Sequence, residues 1–244
     1  MKELTVISGY SKNGCREPFD SIPFHLGELW AIVGPTGAGK SRFIKDIEML
    51  VSGDSVTKRR ILIDGEIPAL ASGDSLIAHL GQNMRFVLDL NVNEFLSFHR
   101  EANRKVDVDL KRIIETASLL SGESFSADSR LSELSGGQSR ALMVADIAYL
   151  SDRPIVLIDE IENAGIDKVR ALRLLVKEGK LVLLVTHDPH TALSADRRIA
   201  IADGAVVSVR RRSTEEEKVF KRLDAEYKEQ QRLKERMRRG EEVV

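Results

Sequence analysis

Residues 29–41 read Leu29-Trp-Ala-Ile-Val-Gly34-Pro35-Thr36-Gly37-Ala38-Gly39-Lys40-Ser41. Five apolar residues without helical period predict a buried strand. The glycine-rich turn that follows fits G-x-x-x-x-G-K-[ST], and residues 40–50 continue as a helix. Strand, glycine loop and helix in that order decide the fold. Glycines let successive backbone N–H groups curl around phosphate oxygens, and the helix N-terminus adds a dipole of the right sign. Lys40 is expected to reach the β- and γ-phosphates and Ser41 to bind Mg²⁺, with Arg42 following as the last residue of the nucleotide-binding stretch. The stretch is a nucleotide site.

Working outward, Ile155-Val-Leu-Ile-Asp159-Glu160 is a second apolar strand, ending in two acids, the form called Walker B. Asp159 at the strand end is placed to hold Mg²⁺ and Glu160 to polarise an attacking water. Other short apolar runs are Leu181 to Val185, Thr5 to Ile7, Arg60 to Ile63, Ile199 to Ile201 and Val206 to Val209. Helical stretches alternate with the central ones: Lys40 to Leu50, Gly137 to Leu150 and Lys168 to Glu178. That alternation predicts an α/β domain, a P-loop core with a mostly parallel sheet covered on both faces.

Residues 92–148 contain no convincing strand and read as an all-helical insertion. Asn91-Val-Asn-Glu opens one helix. A second lies within Asp107 to Leu120, with apolar residues at Leu110, Ile113, Ile114, Ala117 and Leu120. From Arg210 onward the character changes: 12 Lys/Arg against 9 Asp/Glu, in a body otherwise net acidic. Phe220, Leu223, Tyr227, Leu233 and Met237 form a thin apolar stripe there at helical spacing. The expected division is a domain over 1–210, with the helical part at about 92–148 inserted, and a charged helical tail over 211–244. The tail reads either as a solvated helix or as a docking helix for a partner.

At 42% hydrophobic and 31% charged the 244-residue chain has the composition of a globular protein. Its net charge of −1 gives no sign of nucleic-acid or membrane-surface binding, and no nucleic acid is expected among its partners. A single cysteine, Cys15, rules out an internal disulfide and suits a reducing compartment. Neither a signal peptide nor an apolar span of membrane length is legible. The expected place is the cytoplasm, peripheral at the inner face of the cell membrane, with any membrane part supplied by other chains.

Leu134-Ser135-Gly136-Gly137-Gln138 opens a helix shortly before the Walker B strand. Its Ser-Gly-Gly run offers N–H groups and a hydroxyl at a helix N-terminus, a second anion-binding end. Two such ends in one domain make sense when two chains pair. By this string, much more specific than the P-loop, the chain resembles the ABC (ATP-binding cassette) ATPases along roughly residues 1–210. The resemblance implies an N-terminal antiparallel β subdomain and ATP as the nucleotide. It implies a glutamine, matched by Gln82, that touches Mg²⁺, and a switch histidine, matched by His187, that contacts the γ-phosphate. Tyr10 is matched to the aromatic that stacks on adenine, and Asp167 to the end of the D-loop that crosses to the other subunit. In such a pair, Lys40, Ser41, Gln82, Asp159, Glu160 and His187 of one chain face Ser135 to Gln138 of the other, in a head-to-tail dimer. With both half-sites intact in one sequence, a homodimer is the simplest assembly.

Three positions depart from the family pattern. Ile161-Glu-Asn-Ala-Gly-Ile-Asp167 lacks the usual proline and is one residue longer; Arg42 stands where a small hydroxyl residue is common; Asp146 stands where transporter cassettes usually carry Arg. The leading functional expectation is a Mg²⁺-dependent ATPase subunit of an ABC system, its dimer closure coupled to a separate membrane permease. The alternative is a non-transport cassette that remodels or activates a protein or cofactor complex. A chromosome-structure ATPase would need a long coiled coil between P-loop and signature, and only 100 residues separate Gly34 from Leu134.

Overall fold

The computed structural model describes residues 1–68, 76–81, 86, 89–161 and 165–242. Strands β1 (Glu3–Ile7), β2 (Ser21–His25) and β4 (Arg60–Ile63) form a small antiparallel sheet in the order β2-β1-β4. A larger sheet has the order β5-β6-β7-β3-β8-β9. Its strands are β3 (Leu29–Val33), β5 (Ile77–Leu80), β6 (Ile155–Asp159), β7 (Leu181–Val185), β8 (Arg197–Ala202) and β9 (Ala205–Arg211). Every pair in it is parallel except the β8–β9 hairpin. The expected fold class is therefore the observed one.

Strand alternation divides the interior into two cores. Trp30, Ile32, Leu157, Leu183 and Val185 point to one face, where helix α1 (Lys40–Glu48) and the small sheet cover them with Phe43, Ile47, Leu4, Phe24 and Ile61. Ala31, Val156, Ile158, Val182 and Leu184 point to the other. There they meet the helical part: α2 (Val92–Ala102), α3 (Leu110–Ser121), a 3-10 turn at Leu131–Glu133, α4 (Gly136–Tyr149) and α5 (Lys168–Lys177). Strands buried on both faces need apolar residues at every position, which is why β3, β6 and β7 read as unbroken apolar runs.

The helices begin where capping residues permit. Asn91 and Glu94 form a reciprocal capping box on α2, and Ser135 and Gln138 form one on α4. Asp109 caps α3 and Asp167 caps α5. Asp188 caps the short α6 (Pro189–Ser194), with Pro at its first position. Beyond β9 the chain forms α7 (Thr214–Arg238), capped by Ser213 and Glu216. Phe220 and Asp224 of α7 are buried, and Leu223, Tyr227 and Leu233 partly so. No helix among the described residues is long and apolar enough to cross a membrane.

Candidate functional site

β3 delivers the chain into the glycine loop, and the first glycine is dictated by packing. A Cβ on Gly34 would lie 2.2 Å from the carbonyl oxygen of Ile201 on β8. Gly39 has φ of 105° and backs onto the Cα of Gly204, leaving no room for a side chain. Gly39 caps α1 without a side-chain hydrogen bond, and no acid stands in the first turn. The first amides of α1 are thus left to an anionic ligand. Lys40 is buried, its Nζ donating to the carbonyls of Gly34 (2.8 Å) and Pro35 (2.9 Å). That places the ammonium inside the loop. Pro35, Thr36, Gly37, Ser41 and Arg42 are exposed, while Ala38 is buried.

The second wall comes from the neighbouring strands. Asp159 ends β6 in register with Val185, the last residue of β7, and Glu160 N donates to the Val185 carbonyl at 3.1 Å. Glu160 takes a left-handed φ of 53°, so the extended backbone of β6 stops at Asp159. His187, two residues beyond β7, brings Nε2 to 4.0 Å from Glu160 Oε1. Lys40, Asp159, Glu160 and His187 thus gather at the carboxyl ends of adjacent parallel strands, where open α/β sheets bind ligands. A cavity of about 390 Å³ opens beside them, lined by Gly34, Thr186, His187, Arg198 and Glu216 among others. Gln82 lies outside the described residues, as do 162–164 of the segment before Asp167.

Supporting residues hold this wall from behind. Asp188 accepts hydrogen bonds from Thr191 and pairs with Lys168, the first residue of α5, so the segment after His187 is tied to the exit of the loop ending at Asp167. Burial alone would raise the Asp188 pKa, but the bonds from Lys168 and Thr191 hold it below the usual carboxylate value. The Asp-Pro pair at 188–189 was readable as a helix start; Lys168 had no sequence signal.

The Tyr10 loop joins the same assembly. Tyr10 is exposed, its N–H bonded to the Thr57 carbonyl at 2.8 Å. Lys12 N donates to Asp203 O, and Gly204 N to Ala38 O, so this loop, the β8–β9 turn and the phosphate loop are laced together. Beneath lies a fully buried charge network that the sequence did not announce. Arg59 bonds Glu17 through Nε (3.1 Å) and Nη2 (2.6 Å), and Asp46 of α1 through Nη1 (2.9 Å). Glu17 also accepts from the amides of Gly9 and Val206.

The Ser135 end has its own set of contacts. Ser135 Oγ accepts from Gln138 N at 3.2 Å and donates to Glu123 Oε2 at 3.3 Å, and Gln138 Nε2 donates to Ser124 O. All these partners belong to the helical part. Leu134 leads in, Gly136 faces open space, and a Cβ on Gly137 would meet Gly165 O at 2.8 Å. Asp167 accepts from Arg170 N as cap of α5, and its own N–H bonds Leu120 O. Asp146, the departure on α4, is buried and receives His99 Nδ1 of α2 at 3.0 Å. That hydrogen bond raises the His99 pKa above its ordinary value, against the opposing effect of burial.

The family model described as ABC transporter matches residues 20–163, more than half of the chain. This chain belongs to the ABC transporter family. A Methanocaldococcus jannaschii protein named as an uncharacterized ABC transporter ATP-binding protein is 46% identical over 251 residues, covering 100% of this cassette and 95% of that protein. A macrolide export ATP-binding/permease protein of Yersinia pestis is 31% identical over 218 residues, 81% of the cassette but 30% of that longer chain. Among solved structures, cbiO1 of Clostridium perfringens, part of the ABC transporter complex cbiONQ, superposes with a TM-score of 0.64 at 20% identity, covering 92% of the cassette and 93% of cbiO1. An ATP-binding cassette of an ABC transporter in its ADP conformation superposes with a TM-score of 0.62 at 19% identity, over 91% of the cassette and 95% of that chain. These two likenesses speak for the fold.

Proposed function

We propose that this cassette is the ATP-hydrolysing subunit of an ABC transporter, working as a head-to-tail homodimer on a separate membrane permease at the inner face of the membrane. The observation that carries the reading is the division of labour within one chain. Lys40, Asp159, Glu160 and His187 converge at one set of strand ends, while Ser135 is held at a capped helix end among helical-part residues. A nucleotide sandwiched between two copies would use both ends. Of the structural neighbours, cbiO1 is one part of the ABC transporter complex cbiONQ; for this cassette the membrane part would come from another chain.

In that dimer, Lys40 and the α1 amides bind the β- and γ-phosphates and hold them in line for attack. Ser41 and Asp159 offer hard oxygen donors of the kind Mg²⁺ accepts, few enough that phosphate and water fill the remaining positions. When bound, the cation neutralises charge on the phosphate oxygens. Glu160, directly after the end of β6, takes a proton from the attacking water; His187 restrains that carboxylate and faces the γ-phosphate. Ser135 and the amides of Gly136 and Gly137 close over the γ-phosphate of the partner's nucleotide, so loss of that phosphate reopens the pair.

Glu160→Gln keeps the phosphate contacts and removes the base, so turnover falls by about 10²–10⁴ while ATP still closes the dimer. Tagged Glu160→Gln protein, recovered with ATP from detergent-solubilised native cells, is expected to bring down a multi-span membrane protein in stoichiometric amount, identified by mass spectrometry. Recovery of soluble enzymes alone contradicts transport. It supports the second reading, a cassette that remodels or activates another protein.

A further inference from the structure

α7, 25 residues and so roughly 37 Å long, touches the body at three places. Near its start Glu216 pairs with Arg198, and Arg212 just before it pairs with Asp196 and Glu217. In its middle, Phe220 stacks on the His190 ring at 5.6 Å and Tyr227 packs tilted against it at 4.7 Å, with Asp224 Oδ1 3.3 Å from His190 Nε2. His190 belongs to α6, directly after the segment carrying His187. In its last turn Arg238 Nη2 lies 3.6 Å from Glu123 Oε1, and Arg238 Nη1 lies over Gly122, the left-handed cap of α3. The aromatic docking in the middle delivers Arg238 to that corner.

Glu123 is the residue whose other oxygen takes the hydroxyl of Ser135. Its backbone is pinned, since Ser121 Oγ donates to Glu123 O at 2.8 Å. The corner around it is shared with the loop ending at Asp167, through Leu120 O and the Gly137–Gly165 contact. A serine hydroxyl has one proton to donate. Given to Glu123, it is not available to a phosphate oxygen, and a carboxylate beside an incoming γ-phosphate repels it. Arg238 offsets that charge from the opposite side.

We propose that Glu123 is a positioning residue that competes with the partner's γ-phosphate for the Ser135 hydroxyl, and that Arg238 on α7 counters it, so the C-terminal helix sets how readily ATP closes the dimer. The inference rests on the head-to-tail reading above. Both side chains are about half exposed, so the effect is modest and weakens with salt.

The test measures the ATP concentration for half-dimerisation by analytical ultracentrifugation at low ionic strength, in the Glu160→Gln protein. Adding Glu123→Gln, which keeps an acceptor but loses the charge, lowers that concentration by about threefold, the size expected of a partly exposed charge. Arg238→Gln raises it by a similar factor. The two together reproduce the Glu123→Gln value, because Arg238 acts only through Glu123. The affinity of the isolated monomer for a fluorescent ATP analogue is the same in all four proteins, which a general loosening of the fold would not leave intact. Equal midpoints, or a double variant that still responds to Arg238, overturn this inference alone. If the Glu160→Gln parent does not dimerise with ATP, the head-to-tail reading falls and this inference with it.

Discussion

At the scale of single residues, the phosphate loop is set by what its glycines touch. Gly34 is a fixed glycine of the motif, whereas Gly37 occupies one of its variable positions. A Cβ on Gly34 would strike the Ile201 carbonyl, whereas one on Gly37, at φ of 77°, would meet nothing within 4 Å. Gly37→Ala therefore costs about 1–2 kcal/mol of left-handed strain. Gly34→Ala costs more, since β3 or β8 must move, and it weakens ATP binding by displacing the loop that holds Lys40. Chemical denaturation and an ATP titration of both variants check this; a larger loss for Gly37→Ala contradicts the account. The motif revealed the need for glycine at 34 but not its cause, because Ile201 is far off in sequence. Lys40, Asp159 and Glu160 were legible for the opposite reason: each sits in a short contiguous string whose strand and helix flanks can be read beside it.

At the scale of elements, two side-chain arrangements join pieces that sequence reading left separate. Arg59 ties β4 to the Tyr10 loop through Glu17 and to α1 through Asp46. Removing one member of a buried ion network leaves the others charged and unpaired, so Arg59→Ala is expected to cost about 3–5 kcal/mol and to weaken ATP binding by freeing the Tyr10 loop. Urea denaturation measures it, with Arg16→Ala, from an exposed pair with Asp20, as the control that changes little. Equal effects contradict the reading. His99 and Asp146 join α2 to α4. The His99 pKa is raised from 6.5, so its pairing contributes fully below that value and is lost as pH rises through the folded-state pKa. His99→Ala should destabilise more at pH 6 than at pH 9 in denaturant titrations; a difference that does not change with pH would exclude the charged pair. β2 and β5 were missed in the sequence for local reasons. β2 carries Pro23 at its centre, tolerated because it is an edge strand of the small sheet, and β5 is only four residues with exposed His79 within it.

At the scale of the molecule, the fold places the helix ends assigned above to phosphate on different layers: α1 under the small sheet and α4 among the helices. The sequence showed the second end lying in an all-helical insertion, but not its layer. What sequence could not show is how α7 relates them, since the contacts of Phe220, Asp224, Tyr227 and Arg238 are spread over α6 and the end of α3. The central claim is that each active site is shared between two copies. It is tested most directly by mixing two inactive proteins, Glu160→Gln and Ser135→Arg, and measuring ATP hydrolysis. In a head-to-tail pair the mixed dimer has one site with both changes and one with neither. Random pairing should then restore about a quarter of the wild-type rate, half the dimers each carrying one intact site. A mixture as inactive as its components, or a Ser135→Arg protein that hydrolyses ATP at the wild-type rate alone, would contradict the shared site.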